Sequence, residues 1–171
     1  MRKREIIKQK NKLKNVKNYR YLNYAKYACI LLILLFLMYV GGIANLSGKS
    51  FEELLSKNAI VITGFIICTA NLYIWYVLKT FLKDLNDLVH IESIRINLIL
   101  MAIGQFMLMN FISSFLMILS LVKYFQWNQF SLKKALSEIK KDGQLAVLSV
   151  TAIALILFVS LVFGIYFSVA S

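Results

Sequence analysis

Four long stretches of this chain carry no ionisable side chain, and no other feature restricts its folding so severely. Residues 27–46, 59–78, 96–122 and 145–170 contain no Asp, Glu, Lys, Arg or His. A helix that crosses the hydrocarbon of a bilayer needs about 20 mainly apolar residues, at a rise of about 1.5 Å each. Each stretch is long enough, and the second is read as continuing to 82, past Lys79. Only helices and closed barrels satisfy their backbone polar groups inside lipid. These runs lack the period-two alternation of barrel strands. The chain also has no proline to interrupt a helical hydrogen-bond ladder. The expectation is an all-α integral membrane protein, a four-transmembrane-helix bundle with spans at 27–46, 59–82, 96–122 and 145–170. Short amphipathic interfacial helices are expected in its loops. A basic segment, 1–26, precedes this single membrane domain, 27–170.

Composition points the same way. The chain is 60% apolar with a mean hydropathy of +0.70, whereas a soluble domain lies nearer about 45–50% apolar. Its richness in Lys, Ile, Asn and Leu suggests an AT-rich bacterial genome. The net charge of +12 is confined to the segments between the uncharged runs. Ten Lys or Arg fall in 1–26, two in 45–58, three in 79–95 and five in 123–141. A soluble nucleic-acid binder spreads its basic residues over one face of a fold, so no nucleic-acid partner is expected. The partners expected are a bilayer with anionic headgroups, and a second membrane protein or further copies of this chain.

Basic residues near the spans set orientation. With four complete crossings and the N-terminus inside, thirteen Lys or Arg face the cytoplasm and seven face out. The expectation is a multi-pass plasma-membrane protein with both termini cytoplasmic, its 123–141 loop external. The five basic residues in that loop fit poorly. The first run is read as an uncleaved anchor, because the basic segment before it is long and the apolar stretch continues to 46. Tyr19, Tyr21, Tyr24 and Tyr27 crowd its start, where amphipathic rings suit the headgroup level.

Between the runs, Ser50 and Glu53 have capping-box spacing and predict a short helix. In the third loop, Leu132, Ala135, Leu136 and Ile139 share a helical face ending near Gly143, as in a helix lying on headgroups. In the second, Asp84, Asp87 and His90 recur every third residue. Asp87 and His90 would then share a helix face, but the opposite face is apolar, which is the pattern of an ordinary solvated helix extension.

Chemistry is sparse. His90 is the only histidine, so no HExxH zinc motif is possible, and no span carries an acid. Cys29 and Cys68 sit in apolar runs without metal-ligand spacing. No enzymatic activity and no cofactor are expected. The polar residues inside the spans that need a partner are Asn71, Gln105 and Asn110. Ser160, Gly164 and Ser168 form a strip of small residues at every fourth position, and such strips let helices approach closely in lipid. These six are the candidate helix-packing or partner-contact residues. The function expected is that of an accessory or immunity-type partner of a membrane complex, with a permease or channel-like subunit of an oligomeric transporter as the alternative.

Overall fold

The computed structural model describes residue 13 and residues 19–127, 130–143, 145–154 and 157. Those residues form helices and no strand. The first helix, α1 (Arg20–Ser47), begins earlier than the uncharged run and takes part of the basic segment with it. Gly48 ends it in the left-handed conformation at φ 65°, which glycine adopts without a Cβ clash. The short α2 (Phe51–Lys57) starts at the expected capping box, with Ser50 Oγ accepting from Glu53 N and Glu53 Oε2 accepting from Ser50 N, both at 3.3 Å. Asn58 then caps α3 (Ala59–Asn86) through Ile60 N and Val61 N.

α1 and α3 each have 28 residues and are the two described helices long and apolar enough to cross a membrane. They pack side by side and antiparallel. Tyr19 Oη, at the start of α1, donates to the Leu85 carbonyl at the end of α3 (3.0 Å). At the other extremity, Val40, Leu54 and Val61 form a small buried cluster under α2. Close to that cluster a Cβ on Gly64 would run into the Phe36 ring, so the glycine leaves room for this side chain of α1 against α3.

The third uncharged run departs from expectation: it is two helices, not one span. Helix α4 (Ile91–Met107) stops and α5 (Phe111–Tyr124) restarts within three residues. Met109 takes a left-handed φ of 57°. Asn110 N bonds back to the Gln105 carbonyl (2.9 Å) and Met109 N to the Phe106 carbonyl (3.1 Å), the double bond of a Schellman ending. Asn110 Oδ1 then accepts from Ser113 N and caps α5. The chain folds back, so that Ser114 Oγ donates to the Ala102 carbonyl (2.7 Å) and the Phe106 and Phe111 rings stack edge to face. At 17 and 14 residues, α4 and α5 reach only about 25 and 21 Å, short of the ~30 Å hydrocarbon.

The hairpin returns the chain to where it began. Tyr124 Oη accepts from Tyr21 N (3.1 Å), and Lys123 Nζ donates to Tyr21 Oη (3.0 Å). Helix α6 (Leu132–Lys141) stays at this end, since Glu138 Oε2 accepts from Glu92 N and Ser93 N at the start of α4. Asp142 Oδ1 accepts from Leu145 N and opens α7 (Leu145–Ala154). That helix rises beside α4 and α3, with Asn97 Nδ2 on Ser149 Oγ (2.9 Å) and Tyr73 bonded to the Leu148 carbonyl and Thr151. The 123–141 segment therefore lies at the same end as residues 19–21 and 84–95, not opposite them as four complete crossings require. The main core fills this half, with Leu22, Cys29, Leu78, Phe81, Ile94, Leu98 and Met117 among its buried members.

Candidate functional site

Several polar residues of the uncharged runs, among them Asn71, Gln105, Asn110 and Ser113, gather where the hairpin tip meets the middle of α3. Asn71 lies near the midpoint of α3 and is wholly buried. Its Oδ1 accepts from Asn110 Nδ2 at 2.8 Å, while its own Nδ2 donates to the Ile67 carbonyl at 2.9 Å. Ser113 Oγ donates to the Ala25 carbonyl on α1 (3.3 Å) and lies 3.5 Å from Cys29 Sγ. Cys29 Sγ also faces Gln105 Oε1 at 3.9 Å. Gln105 Nε2 is buried with no hydrogen-bond acceptor among the described residues. Of the six residues singled out in sequence, Asn71, Gln105 and Asn110 thus converge inside the chain, bridging α3, α4 and α5. Ser160, Gly164 and Ser168 lie outside the described residues.

A second polar group, unforeseen in the sequence, sits at the other end of α4. Arg95 and Glu92 are 0% and 1% exposed, with Arg95 Nη1 3.3 Å from Glu92 Oε2. Flat rings surround the guanidinium: Phe125, Phe130 and Trp127 have centroids 5.3, 5.4 and 5.8 Å from its central carbon. A cation over ring faces is held by their quadrupoles. This lets a charge persist where its nitrogens find no hydrogen-bond acceptor among the described residues. Burial pushes the Glu92 carboxyl above its usual range, against the pull of Arg95 and Lys134. Burial also lowers Arg95, opposed by Glu92 and Glu138. The sequence signal was available in the "FQWNQF" cluster that follows α5, but nothing local tied it to Arg95.

The acidic repeat of the second loop resolves differently from its spacing. Helix α3 ends at Asn86, and Leu88 and His90 both take left-handed φ values of 55° and 51°. Asp87 and His90 therefore share no helix face. His90 instead lies between Asp84 (Nδ1 to Oδ2, 3.2 Å) and Asp142 (Nε2 to Oδ2, 3.5 Å), which ties the end of α3 to the start of α7. Among the described residues no group of three or more His, Cys, Asp or Glu is placed to hold a metal ion.

Buried amides and hydroxyls of this kind recognise one another and hold helices in register. Cys29, in contact with Ser113 and Gln105, has no basic group against it among the described residues to activate its thiol as a nucleophile needs. Compared with known proteins, the sequence matches no family model, no curated protein and no solved structure.

Proposed function

We propose that the chain is a multi-pass protein of a bacterial plasma membrane that acts by binding, as an accessory or immunity-type partner of a membrane complex, without catalysing a reaction. The observation that carries this reading is the distribution of polarity. Asn71, Asn110, Ser113 and Ser114 bond within the chain. Leu31, Leu34, Leu35, Leu37 and Met38 of α1 face outward. In a bilayer such a flank meets lipid tails or the helix of another protein, and packing rather than polarity must hold that contact.

Orientation follows from the hairpin. In this reading α1 and α3 cross, while α4 and α5 enter and leave by the cytoplasmic face. The basic residues of 1–26, 79–95 and 123–141 then share that face, eighteen of the twenty in the chain. That is a far stronger positive-inside bias than the thirteen against seven of four complete crossings. The N-terminus is cytoplasmic, and the uncharged run from Leu145 departs from the cytoplasmic side. Backbone that ends at mid-depth is acceptable where protein buries it, as α3 does for Asn110.

A photo-crosslinking side chain at Leu35 or Met38, introduced in native membranes, tests the reading. A discrete crosslinked protein is the expected result, and crosslinks to lipid alone would remove it. The broken hairpin favours a second reading, a permease or channel-like subunit, because interrupted helices often bring polar groups to a transport site at mid-depth. Solute or ion flux through liposomes holding only this protein would favour that alternative.

A further inference from the structure

A cleft of about 710 Å³ opens between the cytoplasmic ends of α1 and α3. Its walls are two helix faces that mirror one another. α1 supplies Asn23, Lys26 and Tyr27, and α3 supplies Tyr76, Lys79, Thr80 and Lys83, each set spaced three or four residues apart along one side of its helix. We propose that this cleft is a binding site for the phosphodiester headgroup of an anionic phospholipid, a proposal that rests on the membrane orientation argued above.

Charge, depth and shape all bear on the assignment. Three ammonium groups face one carboxylate, Asp84, and that carboxylate is engaged by His90. The excess is positive, as an anion requires. Lys26 is held in place by Asn23 Oδ1 at 3.2 Å and by the Tyr27 ring at 4.9 Å, and Lys79 lies over Trp75 at 5.7 Å. Asn23, Thr80 and Asn86 add neutral hydrogen-bonding groups, which suit the hydroxyls of a glycerol headgroup.

The cleft runs from the helix ends, at Tyr19, Asp84 and Asn86, about two to three turns inward to Tyr27 and Tyr76, which stand exposed. Tyrosines mark the level where headgroups give way to hydrocarbon. Away from the cytoplasmic end, Leu34 continues the Tyr27 face of α1, and Leu72 and Phe65 continue the Tyr76 face of α3, all exposed. A phosphate held by the lysines would leave its acyl chains lying along these side chains. A soluble phosphate has no use for such a path, and an acidic peptide has no reason to stop where it begins.

The test compares the full chain in phosphatidylcholine bilayers with the same chain in equal mixtures of phosphatidylcholine and phosphatidylglycerol. Native mass spectrometry counts the lipid retained after detergent extraction. At the strength of a basic side chain near a lipid surface, three lysines against one carboxylate give a preference for phosphatidylglycerol of roughly thirtyfold. Joint substitution Lys26→Gln, Lys79→Gln and Lys83→Gln should abolish that preference, whereas Lys133→Gln with Lys134→Gln on α6 should leave it intact. Asp84→Asn should increase it, and this arm stands even if the triple variant fails to fold. Displacement of the retained lipid by inorganic phosphate or glycerol phosphate at equal concentration would assign the cleft to a free anion and overturn the proposal. So would equal retention of the two lipids while the chain resists carbonate washing of membranes, an outcome that leaves the membrane reading standing. Release by carbonate would sink both.

Discussion

Arg95 and Glu92 show how far one side chain can depart from its sequence context. Both lie in a charged loop by composition, yet neither touches solvent. A buried ion pair gains little over apolar residues of the same size, but breaking it by removing one partner strands the other charge, at a cost of about 3–5 kcal/mol. Arg95→Leu is therefore expected to lower stability on that order, while Arg95→Leu combined with Glu92→Leu recovers much of the loss. Thermal unfolding in mild detergent measures both, and additive effects would contradict the pairing. The sign of the pH dependence also follows. A carboxyl whose folded pKa is raised binds its proton more tightly when folded, so its contribution to stability declines as pH climbs above the unfolded value of about 4.3. Without Arg95 the Glu92 carboxyl rises further, so the Arg95→Leu penalty should be larger at neutral pH than in mild acid. Arg95 was unreadable in advance because its cage comes from residues thirty positions away, across a helix break that hydropathy conceals.

At the level of elements, the break at 108–110 decides the architecture. Asn110 both caps α5 and donates to Asn71. Asn110→Ala should cost about 1 kcal/mol for the lost cap, and about 1–3 kcal/mol more for leaving the Asn71 carbonyl buried without its donor. Asn71→Leu leaves the cap on α5 in place and removes only the bond between the two amides, so comparing it with Asn110→Ala by thermal unfolding in detergent would separate the two contributions. α1 and α3 were legible in sequence from their uncharged apolar runs, and α2 from the Ser50–Glu53 box, whereas the start of α1 at Arg20, behind a left-handed Tyr19 with no side-chain cap, was not. Both α3 and α4 end in Schellman turns whose left-handed residue is Leu88 or Met109 rather than glycine. With that signal missing, an apolar run that doubles back has the same composition as one that goes straight on. The strain of a left-handed Met is offset by the two backbone bonds it closes and by the asparagine after it. An asparagine set inside an apolar run was the one visible hint.

For the whole molecule, the return of 123–141 to the end where α1 begins turns the poor fit of five lysines into a consistent charge distribution. Labelling with a membrane-impermeant thiol reagent checks this, in a background where Cys29 and Cys68 are replaced by serine. A cysteine at Lys49 should react from outside intact cells. One at Lys133, exposed on α6, should react only after permeabilisation, and the reverse pattern at Lys133 would restore four complete crossings. The helical class could be read from the runs alone. Which ends share a face could not, because it depends on whether a single run bends.

The hairpin also bears on how the chain is made. In the topology proposed above 123–141 stays on the cytoplasmic side, so the loop exported between α1 and α3 is the short segment around α2, with its two lysines. The Asn71 carboxamide would then sit in lipid from the moment α3 inserts until α5 is synthesised and its leading asparagine arrives. In that topology the second hairpin would be drawn to the first by an unmet hydrogen bond, and a pause in synthesis between the two would leave a half-built protein with that amide exposed for quality-control proteases to find.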